Sequence, residues 1–241
     1  MRAPAPSMRI GSMERHFHEQ LQELKATLTE MASMVEEAIS KAVDSLIERN
    51  KALAQEVIAG DEAINNLEIA VDEQCLKLLA LHQPMAGDLR FITSAIKINN
   101  DLERMGDHAV NIAERALLLS EQEQLKPLID IPRMAVLAQE MVRDSIESFV
   151  VGDVQKARDI CVRDDEVDNL DDQVFRELLT YMVEDPRTIS RALHLIIISK
   201  NLERIADLST NIAEEVIFIY QAHTIKHHIE EKGGGDVRSR S

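Results

Sequence analysis

The stretch that decides the fold runs Asn100-Asp101-Leu102-Glu103-Arg104-Met105-Gly106-Asp107-His108-Ala109-Val110-Asn111-Ile112-Ala113-Glu114. It returns as Lys200-Asn201-Leu202-Glu203-Arg204-Ile205-Ala206-Asp207-Leu208-Ser209-Thr210-Asn211-Ile212-Ala213-Glu214. Wound as an α-helix, Glu103, Asp107, Asn111 and Glu114 fall on one narrow arc, and so do Glu203, Asp207, Asn211 and Glu214. Leu102, Met105, Ala109, Ile112 and Ala113 gather on the opposite side, the pattern of a helix with a buried back. An acidic stripe used twice is either a solvated face or a site for a hard cation.

Working outward, the same three-helix pattern occurs twice. Phe17, Leu21, Leu24, Leu28, Met31, Val35 and Ile39 recur at steps of three and four and predict a first long helix. Asn50 is placed to cap a second, whose stripe is Leu53, Val57, Ile64, Leu67, Val71, Cys75 and Leu78. Gly60 lies inside it and predicts a bend. Pro84 suits the first turn of the third helix, which runs to about Glu121. The prolines of Gln122 to Pro132 mark the internal boundary, after which the pattern restarts at Met134. Gly152-Asp153 and Asp185-Pro186 supply the later stops and caps. The expected architecture is all-α, with two tandem and similar three-helix bundles: a disordered leader at 1–13, repeats at 14–125 and 126–225, and a flexible tail at 226–241.

Composition agrees. Aromatic residues make up 3% with no Trp, so the core must be aliphatic, and the 8 Gly and 6 Pro offer little turn chemistry for a β fold. A net charge of −16 repels phosphate backbones, so nucleic acid is excluded as a partner. No apolar run is long enough to span a bilayer, and the first residues lack the apolar centre of a secretory signal, so a cytoplasmic place is expected. Cys75 and Cys161 read as unpaired thiols inside helices.

A second acidic line lies on the second helix of each repeat. Glu68 and Asp72 are four apart and share a face, which would meet the Glu103/Asp107 edge of the third helix. In the second repeat Phe175 stands where Asp72 would, and the carboxylate pair is read as Asp168 with Asp172. Carboxylates brought this close repel unless they share a cation or a proton. Oxygen-only ligands suit hard cations. The sequence offers no Glu-x-x-His pair, no Gly-rich phosphate loop and no Ser/His/Asp set.

The doubled motif, Gln83-Pro84-Met85-Ala86-Gly87-Asp88-Leu89-Arg90 and Asp185-Pro186-Arg187-Thr188-Ile189 together resemble the PhoU family, over about residues 13 to 222. The resemblance implies two three-helix bundles in tandem, a homodimer, and multinuclear metal clusters of iron, manganese, magnesium or zinc on the acidic motifs. Carried over residue by residue, the metal set is Glu68, Asp72, Glu103, Asp107, Asp168, Asp172, Glu203 and Asp207, with Asn111, Glu114, Asn211 and Glu214 in support. It further implies a non-catalytic negative regulator of the bacterial phosphate-starvation response. Such a regulator links the ATPase subunit of the Pst phosphate transporter to a PhoR-type histidine kinase, and stays peripheral to the inner membrane through those partners. The contrasting reading is a metal-dependent enzyme that activates water on a phosphoryl substrate.

Overall fold

The computed structural model describes residues 7–221, and the helices α1 (Ser7–Ile47), α2 (Lys51–His82), α3 (Gly87–Ser120), α4 (Asp130–Val151), α5 (Val154–Glu184) and α6 (Ile189–Gln221) account for nearly all of them. A single 3₁₀ turn, Pro186–Thr188, leads into α6, and no strand occurs among the described residues. Within each half the three helices pack on one another, and the halves meet where α3 lies against α6 and α1 against α4. Both cross-pairs are antiparallel. Ser94 and His108 of α3 reach Glu215 and Asn201 of α6, while Lys25 and Glu36 of α1 reach Val150 and Arg143 of α4.

The heptad-like stripes are buried as their spacing requires. Leu24, Leu28, Met31, Val35 and Ile39 of α1 are fully buried, and so are Leu102, Met105, Leu202 and Ile205 of the acidic-stripe helices. All six helices contribute to one continuous apolar cluster, in which Phe91 and Phe149 stack across the two halves at 4.7 Å. The bundles are therefore fused along a shared core. Apolar burial of this extent, at about 25 cal/mol per Å², is what stabilises helices that the aliphatic sequence could not hold singly.

The caps fall where the sequence places them. Asn50 accepts from the Ala52 and Leu53 amides, Asp153 from Lys156, and Asp185 from Arg187. Gly152 ends α4 in the left-handed region, with φ 84°. Three expectations need correction. The first helix starts at Ser7, inside the stretch read as a leader; residues 1–6 and the tail at 226–241 lie outside the described residues. Gly60 does not interrupt α2, which runs unbroken through it; a Cβ there would meet nothing within 4 Å. Pro84 is not in the first turn of α3. Gln83 turns left-handed at the C-cap of α2, so Pro84 follows that stop, and α3 begins only at Gly87. Cys75 and Cys161 are free, with thiols pushed by burial up to about 12 and about 11, and so are inert at neutral pH.

Candidate functional site

In the first half the acidic edges of α2 and α3 face each other. Glu103 is half-buried and Asp107 exposed. Burial raises the Glu103 carboxyl above its ordinary value, and the charges of Asp107, Glu68 and Asp61 add to the rise. Asp107 is raised as well, by burial first and then by Asp61, with His108 opposing. Four carboxylates, Asp61, Glu68, Glu103 and Asp107, thus share one field. Glu68 and Asp72 are tied to α3 through Asn99, whose amide donates to the Glu68 carbonyl at 2.9 Å and to Asp72 Oδ1 at 3.2 Å. Asn99 is fully buried, and its Oδ1 has no hydrogen-bond partner. Asp61 Oδ1 and Asn65 Oδ1 are buried and unpartnered too. Buried acceptors without donors are costly in a fold. A bound water or a cation would satisfy oxygens in this condition.

The second half repeats the scaffold and changes its contents. Ser199 stands where Asn99 does, and its hydroxyl donates to Asp171 Oδ1 at 2.7 Å. Lys200 replaces Asn100, and its ammonium lies 2.6 Å from Glu203 Oε1 and 3.5 Å from Asp171 Oδ2. Burial pulls the Lys200 pKa down, but Glu203 and Asp171 outweigh it and the net shift is upward. Burial raises Glu203; the Lys200 hydrogen bond opposes the rise and the Asp207 charge adds to it. Arg204 reaches Asp207 at 3.3 Å. Asp168 is raised by burial and by the Asp207 charge, with Lys200 opposing. Here the protein supplies its own cations.

These placements sort the expected residues. Glu68, Asp72, Glu103 and Asp107 come to one helix–helix edge, as do Asp168, Glu203 and Asp207. Asp172 does not join them: it is exposed, and Asp171 is the residue that engages α6. With Asp61 matching Asp164, Glu68 matches Asp171, so the helical register sets Asp171 toward α6. Asn111, Asn211 and Glu214 are half-buried and Glu114 exposed. Asn211 and Glu214 belong to a different cleft of about 300 Å³ at the α3–α6 seam, shared with Lys97, Asn100, Asp101 and Glu215. There Glu215 accepts from Ser94 at 2.7 Å and Lys97 at 2.6 Å, and burial pushes Asp101 up to about 6, Arg104 opposing. Asn99, Ser199, Asp171 and Lys200 also belong to these edges, and the spacing of the acidic residues does not point to them. The available signal was a polar residue inside an apolar stripe, one position before Asn100 and Lys200. Among the described residues no three His, Cys, Asp or Glu side chains already stand grouped as metal ligands.

The chain matches the PhoU domain twice, over residues 28–116 and 131–216, and these spans are the two halves of the fold. It is 48% identical over 215 residues to a phosphate-specific transport system accessory protein PhoU homolog of Aquifex aeolicus, covering 89% of this chain and 97% of that one. A homolog of the same name from Caulobacter vibrioides is 42% identical over 85% of this chain and 89% of its own. The crystal structure of PhoU from Pseudomonas aeruginosa superposes with a TM-score of 0.83 at 38% identity, covering 86% of this chain and all of that one. With two matched domains that coincide with its two three-helix bundles, the chain belongs to the PhoU family.

Proposed function

We propose that this chain is a non-catalytic accessory of phosphate-specific transport that represses the phosphate-starvation response when phosphate is plentiful. The observation that carries the reading is the likeness, over nearly the whole chain, to relatives named as accessory proteins of phosphate-specific transport. That name describes no enzyme. Among the described residues no helix is long and apolar enough to cross a membrane. A place in the cytoplasm, with access to the membrane through a transporter's ATPase subunit and a PhoR-type kinase, accords with both facts.

The cation reading is supported most strongly in the first half. Asp61, Asn65, Glu68, Asp72, Asn99, Glu103 and Asp107 would supply the oxygens, and the orphaned oxygens of Asp61, Asn65 and Asn99 are what a hard divalent ion would satisfy. A bound ion would supply positive charge that cancels the mutual repulsion of the carboxylates and ties α2 to α3. In the second half Asp168, Glu203 and Asp207 would take an ion only by displacing Lys200. Partner binding would proceed through the remaining acidic surface and be salt-sensitive, because exposed charges are screened beyond about 8 Å at physiological ionic strength.

A deletion strain tests the regulatory role. Removing the gene should leave phosphate-starvation genes switched on in rich phosphate, and the full-length copy should restore repression. A deletion strain that still represses those genes removes the case.

A further inference from the structure

Ser94, His108 and Arg115 of α3 share one heptad register along the antiparallel seam with α6. Ser94 meets Glu215 at one end, His108 meets Asn201 in the middle, and the charge of Arg115 reaches His194 at the other end. The offset of 100 between the repeats makes Arg115 the counterpart of Glu215, and His194 that of Ser94. The two ends of the seam are therefore one place built twice. At the first an anion is built in: Glu215 accepts from Ser94 at 2.7 Å and from Lys97 at 2.6 Å. At the second the carboxylate is exchanged for a guanidinium, the hydroxyl for an imidazole, and Lys97 for Ile197. No acid answers that exchange. Neither Arg115 nor His194 makes a hydrogen bond or ion pair with another described residue, and Arg115 Nε and His194 Nδ1 are buried without a partner. Burial pulls the His194 imidazole below its ordinary value, the Arg115 charge lowers it further, and no carboxylate opposes. A guanidinium that is partly desolvated and has no counter-charge is costly. Both residues are half-buried, so solvent reaches the pair from outside.

We propose that Arg115 and His194 bind a small oxyanion of the phosphate class at this end of the α3–α6 seam. The anion supplies the charge that the Glu215 carboxylate supplies at the other end. A guanidinium fork beside an imidazole N–H offers the donors that phosphate oxygens take in pairs. A net charge of −16 repels free anions from most of the surface, so a local pair of this kind is needed to hold one. Arg115 belongs to the first half and His194 to the second, so a bound anion ties the two halves together. The proposal rests on the two ends of the seam and stands independently of the accessory role.

Calorimetric titration of inorganic phosphate into the full-length chain tests it. Ionic strength is held fixed, and metal is stripped so that no cation at the α2–α3 edge can recruit phosphate. The wild type should take up one phosphate per chain. Arg115→Gln and His194→Gln should each weaken that binding by about tenfold or more, the effect of losing one donor to a charged group. Arg115→Glu, which copies Glu215 into the first half, should abolish it. Lys97→Gln removes the same charge from the opposite end and should leave binding unchanged. Circular dichroism should not change in the Arg115 and His194 variants, because neither side chain holds a hydrogen bond that the fold would lose. In magnetic resonance spectra the His194 ring signals should move when phosphate is added to the wild type and stay in place in Arg115→Glu. A wild type that takes up no phosphate, binding that survives Arg115→Glu, or an equal loss from Lys97→Gln overturns the proposal.

Discussion

The two halves share a backbone plan and an apolar interior, and they part company on the outer faces. In the first half, buried oxygens of Asp61, Asn65 and Asn99 lack donors, and the Glu103 and Asp107 carboxyls are raised. In the second, the Asp168 and Glu203 carboxyls are raised too and Glu203 Oε2 lacks a hydrogen-bond partner, but Lys200 enters the acidic edge, Arg204 turns to Asp207 where Arg104 turns to Asp101, and Phe175 stands in the place of Asp72. Duplicated helices keep their core because every core position is constrained by packing on its neighbours. The outer edge is free to change, and the change has separated an oxygen-rich edge from an ion-paired and apolar one.

If the cores are equivalent, deleting the same core volume on either side should cost the same. Met105→Ala and Ile205→Ala remove fully buried side chains at matching positions. Each should destabilise by about 2–5 kcal/mol in denaturant titrations. A cost under about 1 kcal/mol at one position and a large cost at the other would break the equivalence.

The outer edges should respond differently to pH in metal-free protein. Glu103 and Asp107 bind protons more tightly in the fold than in the unfolded chain. The stability they contribute is fully present below the ordinary carboxylate value and is lost as pH rises through their raised folded values. Glu103→Gln should therefore raise the melting temperature at neutral pH, by up to about 0.5 kcal/mol in free energy. Glu203→Gln should gain less, since the 2.6 Å bond from Lys200 then loses the charge on its acceptor. Thermal melts from pH 4 to 8 in chelator read both, and a larger gain at Glu203 would contradict the comparison.

The smallest effect concerns one methyl group. A Cβ on Gly106 would lie 3.2 Å from Ile64 Cδ1. Its second-half counterparts are Ala206 and Val167, so there the methyl has moved from one helix to the other. Gly106→Ala should be close to neutral alone, the gain in helix propensity (under about 1 kcal/mol) offset by crowding. In an Ile64→Val background it should become stabilising. A double-mutant cycle measures the coupling, and strict additivity would mean the two sites do not feel each other.

Much of this was legible in the sequence. The repeat, the six helices and the caps at Asn50, Asp153 and Asp185 follow from spacing and capping chemistry that act locally. Pro84 lies ahead of α3 and not in its first turn because Gln83 adopts a left-handed conformation that few non-glycine residues take. Asp172 lies four residues from Asp168 and shares its helical face, but Asp171, one position and about 100° away, is the residue that meets α6. The bonds of Asn99 and Ser199, and the ion pair of Lys97 with Glu215, join residues on different helices. No periodicity within one helix encodes such partners.

The most direct test of the comparison is manganese stoichiometry, by calorimetry and by electron paramagnetic resonance of bound Mn²⁺, on full-length protein stripped of metal. The account predicts tight binding to the wild type that Glu103→Gln with Asp107→Asn abolishes. Glu203→Gln with Asp207→Asn should leave that binding in place, and Lys200→Asn should add occupancy in the second half. Absence of tight binding in the wild type, or equal loss from the two double substitutions, would contradict it.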